Sequence, residues 1–347
     1  MSKYGKIYNN YNYVNLNSLP DPKTEYVLTF EHLSGGMNLR DLDFELKPNE
    51  SPLIRNLVWR DGAICSRRGQ VQVGSLGRDG VLCAYERLWH GWLFVHAGMS
   101  LLAYKLQIES DPESEAAVGT VHTLWDNLER VSGDFARYDS YLFYKTRGSY
   151  TRIAWNAETD DFTVRPLQDL PGLVYIPVIQ MNTDPSTGAG DSYQPENRLS
   201  GFKKVRYNGR TDVSVYTLPV EAQSIYSVTV DGVPWTKGVQ WSFENGRVVF
   251  SVNAAPPRGS NNVEIMLYAP NAEAYDSILS CNRMAVFGGA QELCIVLGGC
   301  EGQPNAYFWS GNTDLAMDPT YFPVSHYNLA GDAADAITGF GKQQNFL

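Results

Sequence analysis

The chain has few cysteines, and those it has are badly spaced for chemistry. Five occur in 347 residues, at positions 65, 83, 281, 294 and 300, and no two form a C-x-x-C pair. A structural zinc site ordinarily draws on two closely spaced ligand pairs, and a thioredoxin-type redox motif on one, so spacing excludes both. Reduced, mostly buried thiols are the expectation, in keeping with synthesis in a cytoplasm. Charge is scarce as well: Asp, Glu, Lys and Arg make up 19% of the residues, below the roughly 25% of an ordinary globular protein. With 28 Lys and Arg against 38 Asp and Glu, the net charge is -10. The compact basic cluster is Arg67-Arg68, too small to hold a phosphate backbone, which argues against sequence-specific nucleic-acid binding.

Long apolar runs are missing too. The best, Trp92 to Tyr104, is broken by His96, Gly98 and Ser100 and falls well short of the roughly 20 residues of a membrane-crossing helix. The opening MSKYGKIYNNYNYVNLNSLP holds no apolar stretch of signal-peptide length, so the expectation is an exposed arm, no membrane span and no Sec-type export. Helical periodicity is rare. The best stretch, Glu113 to Arg130, is interrupted by Gly119, and its Thr120 to Trp125 reads equally well as a strand.

Catalytic signatures are lacking. No G-x-S-x-G, G-x-G-x-x-G or Lys-bearing P-loop occurs. The Gly-Gly pairs of MAVFGGAQELCIVLGGCEGQPNAYFWS (Met284 to Ser310) are followed by no helix to present N-H groups to phosphate. They read as the ends of two strands with Gln291-Glu292 at the turn. Asp160-Asp161 and Asp41-x-Asp43 are sequence neighbours rather than carboxylates facing each other across a cleft. Asp184 and Asp191 in DPSTGAGDS hint at a calcium loop but lack the ligand order that ends in Glu. His90 and His96 share a strand face by parity yet stand roughly 20 Å apart on a continuous strand, too far to share a metal. The expectation is therefore no catalytic residue, no cofactor-binding residue, no metal ligand and no cofactor.

What the chain does have is aromatics and turns. Tyr (21), Phe (14), Trp (8) and 31 Gly suit short strands joined by tight turns, and the fold class expected is all-β. HGWLFVHAGMSLLAYKL from His90 and SYLFYKTRGSYTRIAWN from Ser140 share one pattern, a strand, a Gly-containing turn and a second strand, offset by about 50 residues, as in kelch-type propeller blades. NRMAVFGGAQELCIVLGG from Asn282 is a third copy, too far downstream to be the next blade without an insertion. The intervening stretch has its own texture. A Pro, Gly and Asn-rich opening leads to short strands with Asn208-Gly209, Asp231-Gly232 and Asn245-Gly246 as type I′ turn candidates and an alternating Val263, Ile265 and Leu267. This predicts an inserted β-sandwich. The expected organisation is an N-terminal arm (1–45), the first part of a partial or incomplete β-propeller (46–165), the inserted sandwich (166–269) and the propeller resumed (270–347). Asn345-Phe346-Leu347 reads as the start of a strand, so the chain is expected to stop within the propeller.

Two motifs carry a resemblance. In Phe30 to Gly69, Gly35, Gly36, Met37, Asn38, Glu50, Ser51, Pro52, Arg55, Asn56, Gly62, Arg67, Arg68 and Gly69 form one pattern; Asn282, Arg283, Ser310, Gly311, Asp318, Pro319 and Tyr321-Phe322-Pro323 form another. Both resemble tail-tube and tail-nozzle structural proteins of tailed bacteriophages, and the inserted YIPVIQMNTDP, NRLSGFKKVRYNG and NNVEIMLY look like a module of Gram-positive phage or prophage proteins. The resemblance implies a non-catalytic virion protein of a tail or head-to-tail connector. It would form a homo-oligomeric ring around a DNA channel, with portal, adaptor or tail components as partners, and would be assembled in the host cytoplasm. An acidic surface suits a wall past which DNA slides without adhering. Tyr11, Tyr13, Trp235 and Trp241 suit stacking on sugars and keep a carbohydrate- or host-receptor-binding β protein as the alternative; a propeller hydrolase ranks behind both.

Overall fold

A computed structural model of the chain describes residues 80–105, 120–288, 293–333 and 335–342, with shorter stretches at 6–9, 12–15, 36–38, 41, 45–47, 50–51, 57–60, 63–67 and 75–78. Two compact units result, Met1–Gln72 and Val73–Leu347. In the first, β1 (Lys6–Asn9) and β2 (Asn12–Asn15) form a hairpin, β3 (Gly36–Met37) and β4 (Glu50–Ser51) pair in parallel, and β5 (Leu57–Arg60) and β6 (Ala63–Ser66) form a second hairpin. Asn38 Nδ2 ties the parallel pair by donating to Asp41 (2.9 Å) and Glu50 (3.0 Å). Much of the N-terminal motif, with Tyr11, Asp43 and Arg68, lies outside the described residues, as do Gln291-Glu292 and the closing Asn345-Phe346-Leu347.

The second unit is built largely from four-stranded antiparallel meanders. The first comprises β7 (Val81–Ala84), β8 (Trp92–Ala97), β9 (Ser100–Lys105) and β10 (Thr120–Trp125), and the second β11 (Asp134–Tyr138), β12 (Tyr141–Thr146), β13 (Ser149–Asn156) and β14 (Asp161–Pro166). The first meander thus begins at Val81, while residues 46–72 belong to the other unit. The ambiguous Thr120 to Trp125 is the strand β10. Nine further strands follow: β15 (Val178–Thr183), β16 (Asp191–Ser192), β17 (Phe202–Gly209), β18 (Val215–Thr217), β19 (Ser224–Val230), β20 (Val233–Trp235), β21 (Trp241–Glu244), β22 (Arg247–Phe250) and β23 (Gly259–Tyr268). After helix α1 (Ala272–Ser280), a third meander is formed by β24 (Arg283–Gly288), β25 (Leu293–Gly298), β26 (Ala306–Trp309) and β27 (Tyr327–Leu329).

Packing explains why the repeated segments read as nearly continuous apolar runs. On β12, Leu142 and Tyr144 enter one core with Trp92, Phe94 and Leu101 of the first meander. Phe143, between them, enters another with Met284, Ile295, Leu297 and Phe308 of the third. Successive side chains leave a strand on opposite faces, so the second meander is covered on both sides and the three stack face to face. Leu142, Phe143 and Tyr144 are all fully buried; an aliphatic or phenyl side chain so placed contributes roughly 1.5–3 kcal/mol.

The nine strands between the second meander and α1 make two sheets, in the orders β16-β15-β17-β23-β19-β20 and β18-β22-β21. They share a core in which Val205, Tyr207, Ile265 and Leu267 meet Trp241, Val248 and Phe250. The inward set of β23 includes the alternating Val263, Ile265 and Leu267, each fully buried. On the other face, Glu264 takes Lys204 Nζ (3.0 Å) and Arg206 Nε (2.9 Å). Asp231-Gly232 and Asn245-Gly246 have positive φ at both positions, the requirement of a type I′ hairpin. Asn208-Gly209 does not make such a turn: both residues end β17, where a Cβ at 209 would lie 2.3 Å from the Pro257 carbonyl oxygen. Close backbone approach, not chain reversal, selects that glycine. Asn271 caps α1, its Oδ1 accepting from Ala274 N-H at 3.1 Å.

Candidate functional site

The motif residues of the third meander converge on a strap after β26. Ser310 is buried and its Oγ accepts from the Ile295 N-H at 2.8 Å, satisfying a backbone donor of β25. A Cβ on Gly311 would lie 2.6 Å from Pro323 Cγ, so only glycine lets the strap close on itself. The Asp318 carboxylate accepts from Thr320 N-H (2.8 Å) and Oγ1-H (2.7 Å). Tyr321 O-H then reaches the Pro195 carbonyl at 3.0 Å, on the segment that leads into β17. At the start of β24, Asn282 Nδ2 donates to the Ser132 carbonyl (3.3 Å) and Arg283 Nε to that of Thr338 (2.6 Å).

A second Asn-Arg pair completes the junction. Asn197 is buried with its hydrogen-bonding capacity filled: Nδ2 donates to the carbonyls of Tyr175 and Thr320, both at 2.8 Å, and Oδ1 accepts from Phe322 N-H (2.9 Å) and Leu199 N-H (3.1 Å). Arg198 lies over the Phe308 ring at 4.7 Å and donates to the Val324 carbonyl at 2.9 Å. Both open the NRLSGFKKVRYNG stretch of the inserted module, where no individual role was assigned to them. The recurrence of Asn-Arg at 197–198 and 282–283 was the signal that could have found them.

A cleft of about 460 Å³ opens where β7, β11 and β24, the first strands of the three meanders, come near one another, with Cys83, Glu86, Asp134, Arg283 and Thr338 in its wall. Behind it, Tyr144 O-H and His96 Nδ1 are 2.6 Å apart, and Cys83 Sγ is 3.9 Å from the same hydroxyl. The order thiol, phenol, imidazole superficially suggests a relay, but the electrostatics oppose one. Burial pushes the Cys83 thiol up, keeping it protonated, and pushes His96 down, keeping it neutral. Asp134 is raised by burial too, although its carboxylate accepts from Met284 N-H at 2.9 Å. A nucleophile would need its proton affinity lowered, and the surroundings of Cys83 act in the opposite direction.

The structure separates the other residues that the sequence raised. His90 sits before β8 in a left-handed turn (φ 52°), not on the strand with His96, and its ring stacks on Trp155 at 3.8 Å. Asp160 accepts from the indoles of Trp92 and Trp155 at 3.3 Å each and pairs with Lys105, whereas Asp161 turns to His122. Asp184 is engaged by its own loop, accepting from Ser186 N-H (2.8 Å) and Thr187 N-H (3.2 Å), while Asp191 accepts from Asn182 (2.9 Å). Trp241 is buried with Nε1-H on the Trp235 carbonyl (2.9 Å), and Trp235 packs edge-on against Phe250. The two indoles are therefore engaged in sandwich packing. Arg67 is exposed. Among the described residues no three His, Cys, Asp or Glu side chains gather as metal ligands, and no helix is long and apolar enough to cross a membrane. No protein-family model, curated protein or solved structure matches the chain.

Proposed function

We propose that this chain is a virion structural protein of a bacteriophage tail or head-to-tail connector, forming part of a tube or nozzle around the DNA channel and acting by assembly. The observation that carries the reading is what the motif residues do. Asn282, Arg283, Ser310, Gly311, Asp318 and Tyr321 each bond to or pack against backbone and neighbouring side chains of the meanders and the junction. A motif serving a reaction would aim polar atoms at a place where a substrate can sit; the polar atoms of this one are taken up by the chain's own backbone and side chains, which supports a structural reading. Face-to-face stacking supplies the rigidity a wall needs, and the net charge of -10 disfavours adhesion of a passing duplex. The partners on this reading are further copies in a ring and the portal, adaptor or tail components above and below. Light scattering across rising concentrations of the full chain, with negative-stain imaging, tests it. Rings or short tubes are the expected species; a strict monomer at the highest concentration with no ring on the grid refutes it.

A further inference from the structure

Three residues far apart in sequence meet between the second and third meanders. Cys281 closes the C-terminal end of α1 and Cys300 follows β25; both are buried, with their sulfurs 2.6 Å apart. Unbonded carbon atoms rest about 3.5–4.0 Å from one another, and sulfur is larger, so two independent thiols do not account for this approach. Lys145, wholly buried on β12, donates from Nζ to the carbonyls of Thr146 (2.6 Å), Leu279 (2.9 Å) and Cys281. In sequence Cys300 stands six residues from Cys294, but Cys294 lines a groove with Phe287 and Trp309 on the other face of β25. Its neighbour Ile295 belongs to the core that contains Cys281 and Cys300.

We propose that Cys281 and Cys300 are a disulfide-forming pair, oxidised by exchange with a small-molecule disulfide, and that the bond staples the end of α1 to the base of the β24–β25 hairpin. The Cys300 thiolate attacks one sulfur of the small disulfide and releases its other half as a thiol; the Cys281 thiolate then displaces the second half. One S-S bond breaks and one forms. Two electrons and two protons pass from the protein thiols to the two small thiols released. The electrostatics favour Cys300 as the attacking sulfur, because the Cys281 thiol beside it and the Lys145 ammonium hold it below its ordinary value, while burial pushes Cys281 up. In a reducing cytoplasm the pair stays a dithiol; in an oxidising medium it closes.

The test uses the full chain equilibrated with oxidised glutathione or with dithiothreitol, quenched in acid, unfolded, blocked with N-ethylmaleimide and mapped by mass spectrometry after trypsin and Glu-C digestion. The expected product of oxidation is a peptide joining Cys281 to Cys300 with Cys294 maleimide-blocked, and a melting temperature raised by several degrees that reduction reverses. Cys294→Ser keeps the cross-link and Cys300→Ser abolishes it. Complete maleimide blocking of both sulfurs after oxidation, or a Cys281–Cys294 link, overturns the proposal. The wild-type and Cys294→Ser maps decide the matter even where Cys300→Ser does not fold.

Discussion

Lys145 makes an unusual pH dependence measurable. Burial lowers its pKa to about 8, whereas a lysine in an unfolded chain titrates near 10.4. Between those values the unfolded chain binds more protons than the folded one, so this residue makes stability rise with pH across the window from about 8 to 10.5. Below it the penalty is complete, roughly 3 kcal/mol at about 1.4 kcal/mol per pKa unit. Raising the pH from 7.5 to 9.5 relieves about 2 kcal/mol of that. The assay is urea unfolding at the two pH values for the parent and Lys145→Met. Both chains carry Cys281→Ala and Cys300→Ala, so that the adjacent thiols do not titrate in the same window. All other groups then contribute equally to both chains, and the parent is expected to gain about 2 kcal/mol more than the variant. Lys145→Met also deprives the carbonyls of Thr146, Leu279 and Cys281 of a donor; that of Leu279 keeps the Gly148 N-H at 3.0 Å, and a carbonyl left unpaired costs roughly 1–3 kcal/mol, but that cost cancels in the double difference. Parallel pH dependences in the two chains refute the reasoning.

Asn197→Ala removes four hydrogen bonds at a buried junction and is expected to cost at least about 3 kcal/mol, read as a lower urea midpoint; a loss under 1 kcal/mol shows that the strap is held elsewhere. Gly311→Ala forces a methyl group against Pro323 and is expected to lose about 1–3 kcal/mol, checked by thermal unfolding. Ser310→Ala leaves the Ile295 N-H without its acceptor, at about 1–3 kcal/mol, and amide exchange at Ile295 is expected to quicken by more than the global change in stability explains.

The fold was legible in the sequence where pattern and burial coincide. Trp92 to Val95 and Tyr141 to Tyr144 read as one repeated strand because each is covered in the core, and the all-β class follows from such runs and their turns. Asn245-Gly246 announced its hairpin because positive φ at two successive positions leaves few alternatives. Asn208-Gly209 misled for the same reason in reverse: a glycine selected by a neighbouring carbonyl looks the same in sequence as one selected by a turn. The candidate site was harder. Asn197 and Cys281 act on residues 123 and 19 positions away respectively, and spacing along the chain carries no trace of such encounters. His90 was misplaced because parity counting presumes an unbroken strand, whereas the backbone turns at Gly91.

The double-sided burial of β12 also bears on curvature. Three consecutive side chains act as spacers between neighbouring layers, Leu142 and Tyr144 on one side and Phe143 on the other. One short strand therefore contributes volume to both joints, that of the first meander with the second and that of the second with the third. A single substitution there, Phe143→Leu for instance, removes volume from the core shared with the third meander while Leu142 and Tyr144 keep the core shared with the first, so the two joints can be altered one at a time.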